Sequence, residues 1–305
     1  MVTIGYISNR AWREAGIPQP RLNALLAEGA LQGAQVVMLD ASSVDIAAGW
    51  IGTDVWDGAG WTRRQAPLPD VVIMLGSPTH PWQQAVYDWV ARTRPLIKDK
   101  GPNKAQLKAL LTGGPCERYL IPDAEIDPAR PAASIREFLS AHGGGVIKRA
   151  NGQRGIGLLF ITKDADDWSL HDGKAPFRGS LEAVVDRVVA AISGRLQYRA
   201  YVIQRFIRSM ASDGRVVDFR IHVQRRADGA FHLTRAFVRL GEAGMMLANT
   251  SQGGYQGAID TFLAQRRVRP GAEIQLEAID AALSMARLYD ATAETPLSEL
   301  GIDLL

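Results

Sequence analysis

Lys148 ends an apolar run, Val146-Ile147-Lys148, that leads into the polar segment Arg149 to Ile156, with glycines at 152 and 155 and a third at 157. Glycines so spaced let backbone N–H groups turn inward and approach an anion closely, and a lysine on the preceding strand sets an ammonium beside it. The chemistry this suits is the cradling of phosphate. The segment is not a Walker loop, because Gly-x-x-x-x-Gly-Lys-Ser/Thr is absent, and not a dinucleotide fingerprint, because the glycines lie between two strands and open no helix. A glycine-rich hairpin taken alone is more often a plain turn.

A second set sits at Asp218-Phe219-Arg220. In an alternating strand Asp218, Arg220 and His222 share one face and Phe219, Ile221 and Val223 the other. A carboxylate, a guanidinium and an imidazole on one face are costly to bury unless paired or bound to a ligand. An Asp218–Arg220 structural ion pair is the plain alternative. Arg235 and Arg239, four apart on the next strand, point the same way and extend a cationic wall. A third set, Asn249-Thr250-Ser251-Gln252-Gly253-Gly254, is a polar loop able to meet phosphate oxygens or a metal's waters, although loop polarity needs no function.

The elements that must hold these residues follow from composition and periodicity. At 305 residues the chain suits two or three packed units. The apolar share of 47% contains no run long enough to span a membrane, and the N-terminus shows no export signal. One cysteine, Cys116, excludes an internal disulfide or multi-cysteine zinc site and agrees with a cytoplasmic setting. Net charge is only +3, yet ten arginines against three aspartates fall between Arg195 and Arg239, a surplus that calls for an anionic partner or open solvent.

Strand signals at Val2 to Ile7, Gln35 to Leu39 and Val71 to Leu75 alternate with helix signals at Arg21 to Leu31 and Pro78 to Arg94, which predicts a mostly parallel sheet. Gly49 to Trp61 predicts two short strands, with Trp50, Trp56 and Trp61 as packing residues, and Pro95 to Pro102 reads as a linker. Beyond it come a helix at Asn103 to Leu111, a strand pair around 146–148 and 157–161, a helix at Ser180 to Ser193, and strands at Tyr201 to Phe206, Val216 to Gln224 and Phe231 to Leu240. A helix at Glu273 to Tyr289 and a strand start at Gly301 to Leu305 complete the pattern.

In this order, the stretches resemble the ATP-grasp superfamily and its YheC/YheD-like, endospore coat-associated branch. The resemblance rests on Val44 to Asp70 with Pro67-Leu68-Pro69-Asp70, Asn103-Lys104, Val146 to Lys148 with Asn151 to Gly157, Tyr201-Val202-Ile203-Gln204, Asp218-Phe219-Arg220, Asn249 to Gly254, and Glu299-Leu300-Gly301-Ile302-Asp303. It implies an α/β and α+β chain: an N-terminal α/β pre-ATP-grasp domain over 1–98, then an ATP-grasp domain over 99–305. The latter divides into a lid subdomain at about 115–200 and a C-terminal subdomain at about 201–305.

By that analogy Lys104 and Lys148 contact ATP phosphates, while Asn151, Gly152, Arg154 and Gly155 close over them. Gln204, Arg205, Phe206 and Ile207 hold the adenine. Arg220, Arg239 and Asn249 face the transferred phosphoryl group or the acyl substrate, and Asp303 is the first magnesium ligand. The implied activity is an ATP- and Mg2+-dependent carboxylate–amine ligase acting through an acyl phosphate, with small-molecule or peptide acids and amines as substrates. Neither membrane nor nucleic acid is an expected partner, and homo-oligomerisation is left open. Two departures stand out. Gln153-Arg154-Gly155-Ile156-Gly157 has lost the lysine usual in that hairpin, and the sequence stops two residues after Asp303, ahead of the family's strand bearing a Glu and an Asn, so the C-terminal subdomain is expected to be truncated. A catalytically weak nucleotide-binding or coat-associated structural protein is the alternative, and an anionic-polymer binder using the arginine surplus a third reading.

Overall fold

The computed structural model describes all of residues 1–305 except 99–100, 102–103, 151–156, 166, 174, 249–252 and 266–269, and the side chains of 104 and 105. The chain divides into two compact units, residues 1–101 with 293–298, and residues 102–292 with 299–305.

The first unit contains β1 (Val2–Ser8), α1 (Gln19–Leu31), β2 (Ala34–Asp45), β3 (Trp50–Trp56), β4 (Trp61–Ala66), β5 (Val71–Met74), α2 (Pro81–Thr93) and β6 (Leu96–Ile97). They build one sheet in the order β4-β3-β2-β1-β5-β6. The β1–β2, β1–β5 and β5–β6 pairs are parallel, as strand–helix alternation predicts, while β3 and β4 add an antiparallel edge. The expected linker at 95–102 therefore begins as a sheet strand, since Leu96 and Ile97 pair with Val72 and Ile73. A two-residue parallel strand carries too little pattern to be read in advance.

The expected pair of strands within 49–61 also shifts, because the second strand starts only at Trp61. Asp57 holds the turn: its Oδ1 accepts the N–H groups of Ala59 and Gly60 at 3.0 and 2.9 Å, and Gly58 takes φ 100°. The Gly60 amide, the Thr62 hydroxyl and the Ala59 amide together lower the Asp57 carboxyl to about 2. Trp61 packs on Trp12 and Trp56, with ring centroids 4.9 and 5.7 Å away, as packing residues should, whereas Trp50 is 43% exposed.

Asp40 and Asp54 are buried beneath this hairpin and share Arg63, whose Nη2 lies 3.1 and 2.8 Å from them. Trp12 adds its backbone N–H to Asp40 and its indole N–H to Asp54, each at 2.6 Å. Burial pushes the Asp54 carboxyl up, but hydrogen bonds from Arg63 and Trp12 and the charges of Arg63 and Arg13 outweigh it and leave the carboxyl lowered.

The second unit contains α3 (Lys104–Leu111), β7 (Asp123–Glu125), α4 (Pro131–His142), β8 (Gly144–Arg149), β9 (Leu159–Asp164), β10 (Asp167–His171), β11 (Phe177–Gly179), α5 (Leu181–Leu196), β12 (Tyr201–Arg205), β13 (Val217–Arg225), β14 (Phe231–Leu240), β15 (Tyr255–Ala258), α6 (Ile259–Leu263), α7 (Gly271–Asp290) and β16 (Glu299–Leu304). A six-stranded sheet runs β11-β10-β9-β8-β12-β7 and a four-stranded sheet β15-β14-β13-β16. Helices α4 and α5 cover the first, burying Ile135, Leu139, Val184 and Val188 against Ile147, Ile161 and Ile203. Ser180 caps α5 by accepting the Ala183 N–H. In the second sheet Ile221 and Val223 are fully buried, and α7 packs across β13 and β14 through Ala278, Ala281, Ala282 and Ala286.

Replacing Arg63 by Ala strands two buried carboxylates. Because this guanidinium is half-exposed, we expect a loss of about 2 kcal/mol in urea unfolding at pH 7, below the ~3–5 of a fully buried pair. A lowered folded-state pKa contributes stability above the unfolded value near 4 that disappears as pH falls through the folded value. The gap between wild type and Arg63→Ala should accordingly narrow in acid.

Candidate functional site

Lys148 and Gln204 come together because β8 and β12 are antiparallel neighbours. Lys148 is opposite Val202, so Gln204 is its diagonal neighbour on the same face. Lys148 Nζ donates to Gln204 Oε1 at 2.6 Å. Both line a cavity of about 690 Å³ walled on one side by β7, β8 and β12 and on another by β16, including Ile302 and Asp303, with Met285 and Tyr289 of α7 and Leu107 and Lys108 of α3 completing it. Lys108 pairs with Asp123, also on the wall. The cavity thus offers apolar surface for a flat group and an ammonium among carboxylates and an amide, a mixture typical of small-molecule sites.

Asp303 leads from the cavity to the polar face of the four-stranded sheet. On that face Asp218 stands opposite Arg239, Arg220 opposite Phe237 and Asp303, and His222 opposite Arg235 and Gly301. Arg239 donates to both Asp218 oxygens at 2.5 and 2.7 Å and to Asp303 Oδ1 at 2.9 Å. Arg220 Nη2 donates to Asp303 Oδ2 at 3.1 Å. The Asp218–Arg220 pairing is therefore replaced. Cross-strand neighbours sit about 5 Å apart, whereas residues i and i+2 on one strand are about 7 Å apart, so each arginine finds its carboxylate on an adjoining strand.

Arg239 is 8% exposed, and burial works against its charge, but Asp218 and Asp303 hold its guanidinium above the ordinary value. Burial likewise pushes the Asp303 carboxyl up, opposed by Arg239 and Arg220. His222 is lowered by burial and by Arg220, and its ring stacks on Phe237 at 5.8 Å. Gly301 leaves room for this packing, since a Cβ there would lie 2.6 Å from Arg220 Nη1.

Of the residues anticipated from the sequence, Lys148, Gln204 and Asp303 share the cavity, and Arg220 and Arg239 meet at Asp303. Lys104 opens α3, one turn before Lys108, with its side chain outside the described residues. Asn151, Gly152, Arg154, Gly155 and Asn249 also lie outside them. Arg205, Phe206 and Ile207 follow Gln204 but do not line the cavity: Arg205 is exposed and Phe206 packs edge-on against Phe160 at 6.1 Å. Asp218 as a clamp, the Gln204 side chain as the acceptor for Lys148, and Lys108 were not anticipated. The four-residue spacing of Lys104 and Lys108, which shares a helix face, was the available signal for the last.

Among the described residues no group of three or more His, Cys, Asp or Glu is placed to hold a metal. Asp303 by itself supplies hard carboxylate oxygens at the cavity wall, the donor type magnesium takes alongside phosphate oxygens and water. That donor chemistry fits a magnesium ion that arrives on a nucleotide.

A model of YheC/D-like ATP-grasp domains matches residues 93–305. The chain belongs to the YheC/D-like ATP-grasp family. No curated protein matches it in sequence. The structure is similar to that of D-cycloserine synthetase DcsG (TM-score 0.52, 14% identity, covering 99% of this chain and 86% of that one). It is similar too to D-alanyl-alanine synthetase A of Vibrio cholerae (TM-score 0.54, 11% identity, 99% and 83%). A third is N5-carboxyaminoimidazole synthase of Aspergillus clavatus, solved with ADP and 5-aminoimidazole ribonucleotide (TM-score 0.50, 12% identity, 99% and 65%). At these identities the similarity establishes the ATP-grasp fold, and the site has to be argued from this chain's own residues.

Asp218→Ala would leave the buried Arg239 without its two-point partner. We expect about 3 kcal/mol of destabilisation in urea unfolding, and a smaller loss on removing the exposed Asp213, whose partner Arg215 is a surface residue.

Proposed function

We propose that this YheC/D-like ATP-grasp protein is an ATP-dependent carboxylate–amine ligase that works through an acyl phosphate. The observation that carries the reading is that Lys148, Gln204 and Asp303 line one cavity and that two guanidiniums converge on Asp303. In the reaction a carboxylate oxygen bonds to the γ-phosphorus and ADP departs; an amine then bonds to the acyl carbon, phosphate departs, and the nitrogen loses a proton.

Each resident group has a task in that sequence. Lys148 places a positive charge against the phosphates, and the Gln204 amide holds that ammonium in position with a neutral acceptor. The apolar wall formed by Ile302, Met285 and Tyr289 accepts the base, in place of the backbone at 205–207 that family analogy assigns to it and that does not line the cavity. Arg220 and Arg239 stabilise charge that spreads over the phosphoryl oxygens, which in phosphoryl transfer is the main catalytic demand. Asp303 would hold magnesium, whose chemistry is to neutralise phosphate charge when bound. Lys104, the 151–156 segment and Asn249 are assigned by family analogy to phosphate contact, closure over it and the acyl side.

Nucleotide binding without turnover is the second reading, favoured by one observation: both Asp303 oxygens are already held by guanidiniums. No described helix is long and apolar enough to cross a membrane. We place the protein in the cytoplasm on its single cysteine.

Calorimetry with ATP and magnesium should show binding that Lys148→Ala weakens by about tenfold to a hundredfold, the loss of one to two charge-assisted contacts. An unchanged affinity in the variant would remove Lys148 from the site. Phosphate release in pools of acids and amines distinguishes ligase from binder.

A further inference from the structure

Two carboxylates and two guanidiniums occupy one sheet face, and they are not equivalent. Asp218 and Arg239 are nearly sealed, with side chains 13% and 9% exposed, and joined at two points. Asp303 lies on the edge strand β16 with half its side chain exposed and lines the cavity that contains Lys148. Arg220 faces the same carboxylate at two points, Nε 2.6 Å from Asp303 Oδ1 and Nη2 3.1 Å from Oδ2. A half-exposed carboxylate shared by two guanidiniums is open to exchange for another anion that offers them as many oxygens.

We propose that Asp303 is a displaceable internal counter-anion: an incoming phosphoryl group takes over Arg220 and Arg239, which Asp218 keeps in position, and in doing so releases the Asp303 carboxylate towards a divalent cation. The inference rests on the ligase reading and specifies how its site is regulated. With no ligand, the two arginines are neutralised and attract anions weakly. A phosphoryl group, with three oxygens, can take the Arg239 Nη2 contact and both Arg220 contacts that Asp303 gives up, while Asp218 keeps the Arg239 fork. Asp303 is then left near the anion with its charge uncompensated, which favours a cation bridging the two. Anion and cation binding are thereby coupled through one side chain.

The two aspartates are assigned opposite effects, and this separates the proposal from simple charge balance. Removing either negative charge near an anion site should strengthen anion binding if only net charge counts. Under displacement, Asp303→Asn removes the competitor, whereas Asp218→Asn removes the positioning residue that holds Arg239 in its fork geometry.

The experiment is calorimetric titration of a non-hydrolysable ATP analogue into the full chain in EDTA, then in magnesium, with melting curves confirming that each variant folds. Asp303→Asn should bind the metal-free analogue about tenfold more tightly than wild type and gain less from magnesium. Asp218→Asn should bind it no more tightly than wild type. Arg239→Lys, which keeps the charge but loses the fork, provides the same arm should Asp218→Asn fail to fold, and should bind several-fold more weakly. Equal or weaker metal-free binding by Asp303→Asn overturns the proposal, as does an equal gain in both aspartate variants. Absence of analogue binding by wild type in either condition would instead sink the ligase reading on which the proposal stands.

Discussion

The buried Arg239 guanidinium constrains the four-stranded sheet of the second unit. A charge that sheds its water must be paired and hydrogen-bonded or it destabilises the fold by several kcal/mol. Asp218 and Asp303 meet that requirement only while β14, β13 and β16 keep their present register, because a slip of one residue would turn every side chain to the opposite face. The same register puts Ile221 and Val223 on the buried side, where the alanine-rich face of α7 lies close against them. One alternation therefore produces both the core of this sheet and its polar wall.

The cavity follows from where the two sheets of this unit end. Strand β12 carries Gln204 beside Lys148 on β8, and β16 carries Asp303 on an edge. Elements from sequence positions as distant as 107 and 304 line a single space, so its chemistry comes from topology rather than from any one motif. Nothing in Lys148 itself distinguishes it from Lys163, which lies over the Trp168 ring on β9–β10. Their neighbours assign the roles.

That dependence sets how much could be read in advance. Periodicity placed strands at 2–7 and 216–224 and helices at 180–193 and 273–289, close to the observed β1, β13, α5 and α7, because each has a clear apolar pattern. Helix α4 was not anticipated, although Pro131 at its start and Gly143 at φ 67° just past its end are standard boundary residues. For the site, the shared face of Asp218, Arg220 and His222 was legible, but the partners were not: a one-dimensional pattern gives the direction of a side chain and not the strand opposite. The arginine surplus shows the same limit. Arg208, Arg225 and Arg220 are paired with Asp164, Asp290 and Asp303, carboxylates far outside the 195–239 segment, so much of its positive charge is balanced within the fold. This weakens the case for an anionic polymer as partner, since a polymer needs a continuous unpaired face.

The restraints on Lys148 and on Asp303 differ in strength. The acceptor that Gln204 offers Lys148 is neutral, and an exchange of a hydrogen bond of that kind for one to phosphate costs about 1 kcal/mol before the gain of a charged partner. Asp303 engages two guanidiniums at once, and both must be surrendered together. Under the ligase proposal a nucleotide entering the cavity would replace the Gln204 acceptor of Lys148, whereas the arginine pair would yield only to a ligand that offers several oxygens in the right place. Charge alone does not open that second site; geometry has to accompany it. Under the ligase proposal such a sequence would keep the arginines covered until phosphates are anchored, and would direct their charge to the group being transferred rather than to whichever small anion arrives first.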